Sequence, residues 1–159
     1  MTINKKLIND LKDIIKDKEG QVFPPVFLPE TLYDYDFKRN IGKAPIEFWT
    51  QYKEFVAQMD GFNIDGFCIY GISDYPGYKN NLFHANELLS DMNGENYQLL
   101  IEDDLYCIEI GSSSLDDYMY DVRSNMWEAR DKFQHDNLFI SCLTLEEFLY
   151  AVFNEIRQV

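Results

Sequence analysis

Along the first 20 residues apolar side chains recur every three or four positions, at Ile3, Leu7, Ile8, Leu11, Ile14 and Ile15, with lysines and aspartates between them. That period predicts a surface helix with one buried stripe, ending near Gly20. QVFPPVFLPETLYDYDFKRNIGKA follows with three prolines and no sustained period. Its Phe23, Phe27, Leu28, Tyr33 and Phe37 are too apolar for a free linker, so an extended connection packed on the domain is expected. Pro45 suits the first position of a second helix. Ile46, Phe48, Trp49, Tyr52, Phe55, Val56 and Met59 give that helix a broad apolar face, and Gly61 can close it in a left-handed conformation. GFCIYGI, bounded by glycines, predicts one buried strand. A third helix is expected from about Asn80 to Met92, with Leu82, Ala85, Leu88 and Leu89 inward.

From Tyr97 the period changes to two. YQLLIE, LYCIEIG, LDDYMYDV and MWEARDKF predict four strands joined by short polar stretches at Asp103-Asp104, Ser112–Ser114 and Arg123–Asn125. Joints that short permit only antiparallel neighbours. FISCL adds a further strand, and TLEEFLYAVFNEIR opens a last helix with Thr144 as N-cap and Glu147 three residues on, a capping box. Side chains alternate along a strand, so Tyr118, Tyr120 and Val122 share one face while Asp117, Met119 and Asp121 point the other way. Ile108 and Ile110 join the first set and Glu109 the second. The expectation is a sheet with one core face and one acidic face.

The pattern gives the class α+β: a mainly antiparallel central sheet of about five to six strands, flanked by N-terminal, middle and C-terminal helices. With 159 residues, 46% of them hydrophobic and 16% aromatic, one domain over 1–159 is expected. Residues 1–42 form its N-terminal helix and extended segment, and 43–159 its core. The first 20 residues break their apolar positions with charge, unlike a signal peptide, and no apolar run approaches the roughly 18 residues that cross a bilayer. A cytoplasmic protein without membrane contact is expected. Cys68, Cys107 and Cys142 are odd in number and lie in apolar runs, which predicts buried free thiols.

Charge changes the picture most. The net charge is −14, yet residues 1–50 hold eight basic and eight acidic side chains. Residues 51–100 hold two and seven, and residues 101–159 hold four and thirteen. A field of that sign repels phosphate backbones, which argues against nucleic acid as a partner, and attracts cationic proteins.

Candidate chemistry is sparse. The histidines, His84 and His135, lack the companions of a zinc set and are expected at the surface or in caps. Neither Cys107 nor Cys142 lies in a glycine-flanked elbow that would make it a nucleophile. MDGFNIDGF resembles a calcium loop, but counting from Asp60 the third and fifth positions are Phe62 and Ile64, which carry no ligand oxygen. Asp103-Asp104 and Asp116-Asp117 fall in predicted turns, where solvated carboxylates serve as surface charge. No catalytic residue, metal site or cofactor is expected. Tyr, Met and Trp interspersed with carboxylates along the meander instead match a protein-binding surface. Glu109, Asp117, Met119 and Asp121 are the candidate contacts, with Asp103, Asp104 and Asp116 at the rim.

The order of motifs resembles a known family. APIEFWTQYKEFVAQMDGF, GFCIYGI, LLIEDDLYCIEIG, LDDYMYDVRSNMWEARDKF and LTLEEFLYAVF together resemble the SUKH superfamily, also called the SMI/KNR family, and within it a bacterial, YrhA-like branch. The similarity spans roughly Lys43 to Phe153. It aligns Gly61, Tyr70, Gly71, Gly111 and Tyr120 with family positions that are structural. It implies an immunity protein that binds and neutralises a toxin domain, one often a nuclease, with no catalysis, acting as a monomer or weak homodimer. Eukaryotic members imply the alternative, a cytosolic adaptor or regulatory protein with a non-toxin partner.

Overall fold

The computed structural model describes residues 2–78, 81–95 and 102–159, with 91–95 as backbone. Helix α1 (Lys5–Asp17) is capped by the Asn4 side chain, which accepts from the amides of Lys6 and Leu7, and it buries Leu7, Ile8, Leu11 and Ile15 as its period predicts. Helix α2 (Ile46–Val56) buries Phe48, Trp49, Tyr52, Phe55 and Val56, and ends five residues before Gly61. Helix α4 (Leu145–Arg157) opens on Thr144, whose Oγ1 accepts from the Glu147 amide at 3.1 Å.

Among the described residues seven strands form one antiparallel sheet in chain order: β1 (Gln21–Val22), β2 (Phe62–Ile64), β3 (Phe67–Ile69), β4 (Cys107–Ser112), β5 (Asp116–Asp121), β6 (Met126–Asp131) and β7 (Leu138–Cys142). The class α+β holds, with seven strands rather than five or six. The additional strands come from the N-terminal half. GFCIYGI is not a lone strand but the second arm of a hairpin turned by Asp65 (φ 45°) and Gly66 (φ 87°), where left-handed backbone suits Asp and Gly. The stretch that failed as a calcium loop is this turn. Residues 1–42 are integral to the domain, since β1 completes the sheet and Leu28 and Phe37 are core residues.

The predicted strand YQLLIE lies outside the described residues except for Glu102, which begins a 3-10 turn, Glu102–Tyr106. Helix α3 (Leu82–Glu95) buries Leu82 and Ala85 as expected, but Leu88 is 51% exposed and the inward polar residue is Asn86. The reason lies in β4. β3 pairs only with its Gly111 and Ser112, so the Glu109 backbone lacks a strand partner on that side. The Asn86 side chain supplies one, its Oδ1 accepting from the Glu109 amide at 3.0 Å and its Nδ2 donating to the Glu109 carbonyl at 2.9 Å. Gly111 is required where the strands do meet, because a Cβ there would lie 2.1 Å from the Cys68 carbonyl oxygen.

The core lies on one face of β4–β6. Ile108, Ile110, Tyr118, Tyr120, Trp127 and Ala129 are all buried there. Phe48 of α2 stacks on Trp127 with ring centres 5.5 Å apart, and Phe148 of α4 meets Tyr118 edge-on at 5.2 Å. Tyr52 donates its hydroxyl proton to the Tyr70 carbonyl, tying α2 to the end of β3. No helix among the described residues is long and apolar enough to cross a membrane.

Candidate functional site

The register of β4–β6 sets Glu109 opposite Met119, Met119 opposite Glu128, and Asp117 opposite Arg130. These side chains, with Cys107 and Asp121, occupy the face away from the aromatic core. It is the acidic face the alternation predicts, but it is closed. Met119, Asp121, Glu128 and Arg130 are buried, as is Asp104 from the 3-10 turn, and Glu109 and Asp117 are half-buried. Asp103 alone among the predicted contacts on this face keeps a side chain as much as 39% exposed.

Three cations stitch the face together. Arg130 donates to Glu128 Oε1 at 2.7 Å and lies 3.4 Å from both Asp121 Oδ2 and Asp103 Oδ2. Arg123, in the β5–β6 hairpin, reaches back to Asp121 Oδ2 and to Asp103 Oδ1, each at 2.8 Å, and its guanidinium lies 4.4 Å from the centre of the Tyr106 ring. His135, in the β6–β7 loop, places Nδ1 2.7 Å from Asp104 Oδ1 and Nε2 2.7 Å from Asp117 Oδ2. The loop is folded for this. Asp131 Oδ1 accepts from the amides of Phe133 and Gln134, and Arg130 Nη1 donates to the His135 carbonyl at 3.2 Å.

Ionisation follows from these contacts. Hydrogen bonds that the ring donates to Asp104 and Asp117 raise the His135 pKa to about 10, so the imidazolium bridges two carboxylates at neutral pH. Burial, reinforced by Asp117, pushes Glu109 up to about 8 although Arg39 and His135 oppose it. The Arg123 hydrogen bond holds Asp103 below the usual carboxylate range. Burial raises Glu128 despite its Arg130 partner, and raises the Cys107 thiol to about 12. Arg39 joins from the extended segment, donating to Asn86 Oδ1 at 2.8 Å, and burial lowers its pKa.

Cys107, Asp121 and Glu128 offer ligand atoms within 4.8 Å of one another. The Arg130 guanidinium already supplies positive charge to both carboxylates, so a divalent ion would have to displace it and also deprotonate a thiol that burial holds neutral. Asp121 and Glu128 belong to the ion network, with the neutral Cys107 thiol beside them.

Several expectations need correction. Asp116-Asp117 is not a turn pair but begins β5, and in the 3-10 turn Asp104 is buried, so that of the first pair only Asp103 is partly solvated. Asp116 faces the core side, where burial raises its pKa and Glu155 of α4 feels its charge, so it is not at the rim of the acidic face. His135 is a bridging group rather than a surface histidine. Cys107 is buried, but Cys68 and Cys142 are only half-buried.

The residues the pattern missed are Arg39, Asn86, Arg123, Glu128, Arg130 and His135. Glu128 and Arg130 had a signal, since they alternate with Trp127 and Ala129 in MWEARDKF. The others arrive from loops and a helix, where no local period marks them. No family model matches the chain, and no curated protein matches it.

Proposed function

We propose that this protein is a non-catalytic, immunity-type binding protein of SUKH-like architecture that neutralises a cationic protein toxin domain by forming a complex with it. One observation carries the reading: the excess negative charge is not consumed inside. The closed face sets six carboxyl groups, Asp103, Asp104, Glu109, Asp117, Asp121 and Glu128, against three arginines and the His135 imidazolium. It is nearly self-compensating. Most of the net charge of −14 therefore lies on solvated surface elsewhere, where it attracts a basic partner and speeds the encounter. A toxin that acts on nucleic acid needs a cationic cleft, and an acidic protein of this size can compete for it.

Of the candidate contacts, Asp103 and Asp117 retain access to a partner, whereas Asp104, Met119 and Asp121 support the fold. The test is an affinity pull-down from the native host, washed at low and then high salt. A basic toxin-like protein that elutes with salt, and whose growth arrest is relieved by co-expression of this chain, is the expected result. Recovery of regulatory or metabolic proteins, with no relief of toxicity, would move the protein to the adaptor class.

A further inference from the structure

The two edges of the sheet differ. β1 is two residues long and is followed at once by Phe23 and the pair Pro24-Pro25, which blunts that edge. β7 is five residues long, contains no proline, and among the described residues has no strand beyond it. From Asn137 to Leu145 the chain carries no charge, between Asp136 and Glu146. Ile140 and Cys142 turn towards the core, leaving Leu138 (46%), Phe139 (60%) and Leu143 (69%) exposed, with Phe133 (88%) in the loop before the strand. A register shift at Ala129/Arg130 leaves Phe139 without a Cα partner on β6, and so puts two successive apolar side chains at the surface. Natural edges of this length are normally charged, covered or broken.

We infer that the free edge of β7 is the docking site for an extended, cationic strand of a partner protein, which adds to the sheet as an eighth strand. Backbone hydrogen bonds supply affinity in such additions, and side chains at alternate positions supply specificity. Charge selects the occupant. The strand belongs to the most acidic third of the chain and is flanked by acids at both ends, so basic residues bordering an apolar segment complement it. A second copy brings another −14 and is repelled. The inference rests on the proposed cationic partner and locates its contact.

The test uses the full chain and three ten-residue peptides: alternating lysine and valine, alternating glutamate and valine, and all lysine. Binding is followed by titration, amide hydrogen exchange of residues 138–142 and sedimentation. The expected result is one-to-one binding of the lysine–valine peptide, slowed exchange at 138–142, and at least tenfold weaker binding to Phe139→Lys with an unchanged thermal midpoint. Equal binding of the all-lysine peptide, insensitive to Phe139→Lys, would overturn the edge inference and leave the cationic partner standing. Equal protection of β7 by the glutamate–valine peptide would overturn the cationic occupant and with it the charge argument above. No slowing at 138–142 with any peptide would overturn the docking site alone. Self-association abolished by Phe139→Lys would make a second copy the occupant and overturn the choice made here.

Discussion

On one face of β4–β6, Tyr118, Tyr120 and Trp127 meet rings from α2 and α4. On the other, Asp121, Glu128 and Arg130 meet one another and the side chains of loops. Both faces bury most of their side chains, by different means. The aromatic face gains from burial and packing in proportion to area, and it tolerates changes of ionisation. The ionic face removes charges from water, which costs several kcal/mol per ion, and offsets that only while every partner is in place. The first should respond to volume and the second to protonation.

The largest expected losses should look alike at pH 7 and separate when pH is changed. Trp127→Ala opens a cavity beside Phe48 and should cost about 3–5 kcal/mol in urea unfolding, nearly independent of pH. Arg130→Ala leaves Asp121 and Glu128 buried without their shared cation, and should cost roughly 3–5 kcal/mol at pH 7. Its deficit should shrink towards pH 4 as Glu128, whose pKa burial raises, takes up a proton. Parallel pH profiles for the two variants would break the distinction between the faces.

A smaller effect comes from two shifted groups. The folded-state pKa of His135 is raised from 6.5 to about 10, so its contribution is complete below 6.5 and is lost as pH rises through 10. Glu109 is an acid raised from 4.5 to about 8, so its protonated form favours the fold below 4.5 and that advantage is lost as pH rises through 8. Both act in one direction, and stability should fall between about pH 4.5 and 10. Glu109→Gln should flatten the lower part of that decline and His135→Gln the upper part, as read from urea midpoints across the range. Least affected should be Asp103→Asn, whose pairs with Arg123 and Arg130 are partly solvated. It should cost no more than about 1 kcal/mol, and less in high salt.

Much of this architecture is legible in the chain. The stripes of α1, α2 and α4, the Thr144 capping box and the alternation of β4–β6 all follow from local period. Three features did not, and each has a physical reason. The Asp65-Gly66 turn is a strong hairpin signal, but β2 has only three residues before it, too few to show a period. The inward face of α3 depends on the unpaired edge of β4, a tertiary demand that places Asn86 where a leucine fits the helix pattern better. Alternation assigns Glu109, Asp117 and Asp121 to one face correctly, yet it cannot say whether that face meets water. That is decided by Arg39, Arg123 and His135, which arrive from irregular segments.

The most direct test of the closed ionic face is the titration of the His135 ring by NMR. At pH 8 both His135 nitrogens should still carry protons, and the midpoint should lie near 10. A midpoint near 6.5, close to that of an unperturbed imidazole, would contradict the closed face and return Asp104 and Asp117 to the solvated surface.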